Sequence, residues 1–206
     1  MLDSKGFDLW SESYDQSIAD SKGYPFEGYY DVLAYVYNQL GSNISGSKIL
    51  DIGFGTGTLT NRLYQEGAII YGVDFSANMI KIAQEKMPNG RFVQADFSQG
   101  IPPELTGAKF NSIISTYAIH HLDHRAKVDF IKELKTLLAP GGQIIIADVA
   151  FRTISDFEEC RLKNIDRWDN DEIYIVMEEI EDLLKKQGLN FAYHQISSCA
   201  GALVIK

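Results

Sequence analysis

Long apolar runs are missing from this 206-residue chain. No stretch approaches the roughly 20 apolar residues a helix needs to span a bilayer, so no membrane partner is expected. Cysteine is scarce. Cys160 and Cys199 make neither a metal-binding pair nor a disulfide framework, and each reads as a small buried side chain. Basic residues are outnumbered, 19 against 28 acids, for a formal net charge of −9. Phosphate contacts need clustered lysine and arginine, so the balance argues against a nucleic-acid substrate. The longest basic pair, Lys185-Lys186, ends a helix and complements its dipole. The four histidines are scattered without metal-ligand spacing, so no metal is expected. The start, MLDSKGFDLWSESYDQ, lacks the basic lead and apolar centre of an export signal. The expected location is the cytoplasm.

What is present is ordinary globular material, 45% hydrophobic and 23% charged, at a length that suits one domain. Residues 3–20 read as a helical lead-in, and residues 26–40 as an amphipathic helix. In the latter Phe26, Tyr30, Leu33, Tyr37 and Leu40 recur at spacings of three and four. Beyond a turn-rich loop at 41–48, short apolar runs alternate with helical segments. The runs are Lys48–Ile52, Ile69–Val73, Arg91–Ala95, Asn111–Ser115 and Gln143–Val149; the helices are Thr58–Gln65, Ala77–Met87 and Ala126–Leu138. The last of these stops at Pro140-Gly141-Gly142. Such alternation predicts βαβ units and a parallel sheet with right-handed crossovers. A long helical stretch then runs to about Gln187. Two further runs, Asn190–Ile196 and Ala200–Ile205, are joined by only Ser197-Ser198-Cys199. So short a join permits a hairpin and no crossover. The expected fold is α/β: a Rossmann-like, doubly wound, mostly parallel seven-stranded sheet, helices on both faces, closed by an antiparallel hairpin.

The strongest local signal is Asp51-Ile52-Gly53-Phe54-Gly55-Thr56-Gly57-Thr58, which leaves a strand and opens a helix. Glycines let backbone approach a ligand closely, and the helix start offers unpaired N–H groups. Alone, such a loop suits a dinucleotide, a flavin or an adenosyl compound. Two details favour the last. Thr58 stands where a dinucleotide fingerprint places its third glycine. Asp51, two residues before Gly53, is awkward beside a pyrophosphate but suits a ligand bearing an ammonium group. Asp74, in Tyr71-Gly72-Val73-Asp74, ends the second strand, where a carboxylate can accept from both hydroxyls of a ribose. Asp96, in Gln94-Ala95-Asp96-Phe97, ends the third and can accept from an adenine amine, with Phe97 lining the ring. A lone Asp there would read as a cap or turn former; its place third in an ordered series points to a ligand.

With ILDIGFGTG, YGVDFS, VQADF, FNSIISTYAIHHL and LLAPGGQIIIAD in this order, the chain resembles the class I S-adenosylmethionine-dependent methyltransferases over nearly its full length. WSESYD, YAIHHL and IIIADV together look most like the YrrT family of small bacterial methyltransferases. The resemblance implies S-adenosylmethionine as cofactor and S-adenosylhomocysteine as product. It implies roles too. Gly53 and Gly55 would touch the methionine part and Asp51 its amino group; Asp74 would bind the ribose, with Phe75 and Met79 beside the adenine; Asp96 would accept from the adenine amine. Ser115 would lie near the sulfonium, and Tyr14 would close over the cofactor. His120, just past the fourth strand, would be the catalytic base where a base is needed; His121 ranks behind it. The implied division is a single domain, with an N-terminal helical cap at 1–46, a cofactor-binding half at 47–150, and a substrate-side helix region and hairpin at 151–206.

The function expected is methyl transfer to nitrogen, oxygen or sulfur of a small-molecule acceptor, by in-line displacement. The aromatic and acidic stretch at 150–178, with Phe151, Phe157, Trp168, Tyr174 and Met177, is the expected acceptor side. Two other readings stay open: a non-catalytic cofactor sensor or partner subunit, and a nicotinamide-dependent oxidoreductase. The Gly-x-Gly-x-Gly spacing and the terminal hairpin speak against the oxidoreductase.

Overall fold

Adjacent apolar residues along one strand enter opposite cores, and this alternation organises the molecule. The computed structural model describes residues 23–206; the expected helix at 3–20, with Trp10 and Tyr14, lies outside them. In strand β1 (Lys48–Ile52) Leu50 and Ile52 pack on one side of the sheet and Ile49 on the other. In β5 (Leu138–Phe151) Ile144 and Ile146 join the first core, and Ile145 and Ala147 the second. Cβ atoms alternate across a strand, so a near-continuous apolar run feeds both faces of a covered sheet. The remaining strands are β2 (Ile69–Asp74), β3 (Arg91–Gln94), β4 (Phe110–Thr116), β6 (Ile175–Val176), β7 (Phe191–Gln195) and β8 (Ala200–Ile205). Their spatial order is β3-β2-β1-β4-β5-β8-β7, with β6 beside β5. β1 to β5 pair in parallel; β8 runs antiparallel to β5 and β7. The expected seven strands are those of this path. The eighth, β6, has two residues parallel to Ala150 and Phe151, too short to leave a period in the sequence.

Among the described residues the α-helices are α1 (Tyr29–Leu40), α2 (Thr58–Gln65), α3 (Ala77–Lys86), α4 (His124–Lys135), α5 (Ile154–Lys163) and α6 (Met177–Lys186). Side-chain caps start three of them: Ser76 accepts from the Met79 N–H, Asp123 from that of Ala126, and Thr153 forms a capping box with Asp156. Ser76 is fully buried and starts the helix that follows Asp74. Ser76→Ala should cost about 1 kcal/mol, seen as a melting temperature lower by about 2–4 °C.

Three expectations are corrected. The buried stripe of α1 is Val32, Leu33 and Val36, with Tyr37 and Leu40 partly buried against the same core, while Tyr30 is 61% exposed and Phe26 precedes the helix in a turn. The stretch to Gln187 is two helices parted by an extended segment and β6, because the acid-rich run 166–172 has no apolar stripe. Pro140-Gly141-Gly142 does not precede β5. Leu138 already pairs with Phe110, and the turn bulges out before pairing resumes at Ser112 and Gln143. Among the described residues no helix is long and apolar enough to cross a membrane.

Candidate functional site

The parallel strands β1, β2 and β4 end at one edge of the sheet, and the glycine loop folds over that edge. Gly53, Gly55 and Gly57 all have positive φ, at 68°, 57° and 75°, the left-handed region that glycine enters without strain. Two hydrogen bonds tie the loop to β2. The Gly53 N–H donates to the Val73 carbonyl at 2.7 Å, and the Gly55 N–H to Asp74 Oδ2 at 2.8 Å. Asp74 Oδ1 accepts the Ser76 N–H at 2.9 Å. The buried Asp74 carboxylate therefore joins the loop to the start of α3.

Asp51 is the electrostatic centre. It is 2% exposed; Oδ2 accepts the Thr60 hydroxyl, while Oδ1 is buried with no partner among the described residues. Burial pushes its carboxyl up from 3.8 to about 7, against the Thr60 hydrogen bond and with help from Asp74. A buried acceptor without a donor costs free energy, so the position is built to receive one. Together with Gly53, Gly55, Thr58, Thr116 and Tyr117, Asp51 lines a cleft at the strand edge, with Tyr29 and Leu33 of α1 beside it. The residues fit an adenosyl amino acid: a carboxylate for its ammonium, a loop that admits close backbone approach, and a second carboxylate one strand away.

The other expected residues divide in two. Ser115 is buried behind the cleft, its hydroxyl donating to the Ile52 carbonyl at 3.0 Å, so it braces the end of β1. Met79 and Phe97 are buried; Phe97 stacks on Phe130 at 5.7 Å and lies close beneath Gly53. Phe75 is half-buried. Asp96 is exposed at the end of β3, and its Oδ1 accepts the Ser98 N–H at 2.9 Å, the local capping geometry. His120 is buried beside Asp148 at 2.7 Å. His121 packs on it with rings 4.4 Å apart, and burial followed by its neighbour's charge lowers its imidazole to about 4. His124 Nε2 donates to the Tyr174 carbonyl at 3.0 Å, and His194 stacks on Tyr35.

Three contributors were missed. Thr60 is a helix residue with no motif of its own. Thr116 stands next to the expected Ser115. Tyr117 has φ of 52°, a strained conformation for a residue with a Cβ, costing about 1–3 kcal/mol and concentrated at working sites. Its ring packs against Phe26 and Tyr29 at 5.5 and 5.3 Å. Sequence carries no sign of a left-handed tyrosine.

Comparison with known proteins points the same way. The family described as "Methyltransferase domain" matches residues 49–142. An uncharacterized methyltransferase of Geobacillus kaustophilus is 37% identical over 202 residues, covering 92% of this chain and 89% of the relative. The uncharacterized methyltransferase YrrT of Halobacillus halophilus is 27% identical over 210 residues, covering 97% and 95%. Among solved structures, DhpI in a complex with SAM and HEP superposes with a TM-score of 0.71 at 19% identity, over 97% of this chain and 94% of that one. The magnesium protoporphyrin IX methyltransferase of Synechocystis with bound SAM gives 0.67 at 20%, over 100% and 97%. At these identities the structures show a shared fold.

Proposed function

The chain belongs to the methyltransferase-domain family, and from that premise we propose that it moves the methyl group of S-adenosylmethionine to a small-molecule acceptor. The observation that carries the cofactor assignment is the buried oxygen of Asp51 beside the glycine loop, which has no partner among the described residues. A dinucleotide would bring a pyrophosphate to that loop and set like charges together; an amino-acid ammonium supplies the missing donors. On this reading Gly53 and Gly55 contact the methionine part, Asp74 the ribose, Phe75 and Met79 the adenine ring, and Asp96 and Phe97 its outer edge. Ser115 stands behind the sulfonium, and Tyr14 closes over the cofactor. Residues 47–150 form the cofactor-binding half of one catalytic domain, and 151–206 the acceptor side.

When bound, the cofactor supplies a methyl already activated by a sulfonium leaving group. The protein has then to align acceptor, methyl and sulfur and to exclude water, and such orientation is worth ~7–11 kcal/mol of barrier. The net charge of −9 supports a small acceptor over a polyanion, and a cytoplasmic setting suits both reagents.

Calorimetry with S-adenosylmethionine, S-adenosylhomocysteine and NAD tests the assignment. Micromolar-range binding of the first two is expected, and none of NAD. Asp74→Ala should lose at least ~1 kcal/mol of binding, from a charge-assisted hydrogen bond removed. Asp74→Asn is the companion variant, since one amide oxygen can still accept the Gly55 N–H. Full affinity in both variants would remove the ribose from Asp74.

A further inference from the structure

A second buried charge cluster lies past the end of β4, and the cofactor assignment leaves it unused. The short helical turn Ile119–His121 follows Tyr117 of the cleft, and Ala118 packs against Gly53. Asp148 of β5, 1% exposed, grips this turn with both oxygens. Oδ2 accepts the N–H groups of Ile119 at 3.0 Å and His120 at 3.2 Å. Oδ1 meets His120 Nδ1 at 2.7 Å and the Val149 N–H at 2.7 Å. With Nδ1 serving as donor to a carboxylate, the basic lone pair of a neutral imidazole sits on Nε2. That atom stands 3.5 Å from Glu172 Oε1, too far for a good hydrogen bond. The other oxygen of Glu172 accepts the Tyr174 hydroxyl at 2.6 Å, and Tyr174 is itself hydrogen-bonded to Tyr24. The fully buried Lys127 completes the frame, donating to the Leu122 and Ile173 carbonyls. It ties the histidine turn to the segment carrying Glu172, as does the Ile173 N–H to the His120 carbonyl at 2.9 Å.

Apolar packing would hold two loops together without burying a histidine, a lysine and an aspartate. The geometry of a base is complete: an oriented ring, a nitrogen with no close partner among the described residues, and a carboxylate behind it. We propose that His120 accepts the proton of a hydroxyl-bearing methyl acceptor, with Asp148 positioning the ring and Glu172 carrying the proton to water. This rests on the methyltransferase reading and narrows its acceptor class. A neutral amine or a thiolate needs no base to attack a sulfonium methyl, whereas a hydroxyl does. The acceptor oxygen bonds to the methyl carbon as the carbon–sulfur bond breaks, and that electron pair returns to sulfur. The O–H proton passes to His120 Nε2, then to Glu172, whose side chain is 20% exposed, and so to solvent. No other reagent is required.

The groups facing the ring are Asp148, Glu172, Lys127, His121 and Tyr174. Burial lowers the His120 imidazole, but the charge and hydrogen bond of Asp148 and the charge of Glu172 outweigh burial and Lys127, holding it above 6.5. Turnover should therefore climb with pH along a limb above 6.5 and then level off.

The experiment uses the full chain, methyl-tritiated S-adenosylmethionine and matched sets of hydroxyl, amine and thiol acceptors, with S-adenosylhomocysteine calorimetry beside it. Hydroxyl acceptors should be methylated, with the pH limb described. His120→Asn should lower kcat about 100-fold or more and leave S-adenosylhomocysteine affinity within about twofold. Glu172→Gln should move the limb to lower pH and lower kcat about tenfold, with KM nearly unchanged; a purely structural role would move neither selectively. Nitrogen-15 resonances of the His120 ring, titrated in wild type and Glu172→Gln, give the same answer without an acceptor: the titration should fall in the variant. Full turnover in His120→Asn, transfer confined to amines or thiols, or a His120 titration indifferent to Glu172 would each overturn the proposal. A wild-type chain that binds no S-adenosylhomocysteine would remove the methyltransferase reading beneath it.

Discussion

Asp51→Asn is expected to make the cofactor-free protein more stable at pH 8 while lowering its affinity for S-adenosylhomocysteine by about 100-fold. The two effects share one cause. With its carboxyl raised to about 7 by burial, Asp51 binds a proton more tightly folded than unfolded. Below about pH 4 it is protonated in both states and carries no penalty. Between about 4 and 7 the unfolded chain releases the proton first, so stability falls as pH rises, and above 7 the penalty is complete. From 3.8 to about 7 that penalty is roughly 4 kcal/mol, at about 1.4 kcal/mol per tenfold. Asparagine removes the charge and still accepts the Thr60 hydroxyl, but it buries an amide without a partner, at a cost of about 1–3 kcal/mol. The charge wins at pH 8, by an amount worth a few degrees of melting temperature. At pH 5 the advantage should vanish or reverse. Binding moves the other way, because an ammonium facing a buried carboxylate loses about 2–5 kcal/mol when that partner is neutralised. Wild-type binding at pH 6 should also release a proton, visible as a dependence of calorimetric heat on the buffer. A stability difference that ignores pH, or unchanged affinity, would strip Asp51 of this role.

Much of this was legible in the sequence, and the reason is locality. Lys48–Ile52, Thr58–Gln65 and Ala200–Ile205 end in the structure where the periodicity ends, because glycine or polar residues interrupt each apolar pattern. The glycine loop and the acids at 51 and 74 could be read because strand ends and turns are short-range features. What escaped reading depends on register between distant elements. Asp148 meets His120 across 28 residues of sequence, and Lys127 reaches the Ile173 carbonyl across 46. The motif IIIADV displayed that aspartate, but only the pairing of β4 with β5 brings it to the histidine turn. Pro140-Gly141-Gly142 misled for a related reason. The helix ends earlier, at Lys135, and a bulge lets the strand begin before the turn, held by Phe110 across the sheet.

The second large effect expected is from Gly53→Ala, and its meaning comes from comparison with Gly141→Ala. Both glycines have positive φ, 68° and 76°, so both substitutions carry the left-handed strain of an alanine, about 1–2 kcal/mol. Their surroundings differ. A Cβ on Gly53 would stand 2.4 Å from the Ala118 Cβ, whereas one on Gly141 meets nothing within 4 Å. Two methyl groups cannot share that space, and forcing the glycine loop away from the end of β4 adds about 1–3 kcal/mol of overpacking. Gly53→Ala should lower the melting temperature by roughly 5–15 °C and Gly141→Ala by roughly 2–8 °C. Binding separates them further. Retreat of the loop moves the Gly55 N–H off Asp74 and alters the cleft beside Asp51, so S-adenosylhomocysteine affinity should fall at least about tenfold. Gly141 sits at the opposite edge of the sheet, where β5 begins, and its variant should bind as wild type does. Equal melting losses would mean that Ala118 yields easily and the close approach is incidental. Intact affinity in Gly53→Ala would mean that the cofactor does not lean on this loop.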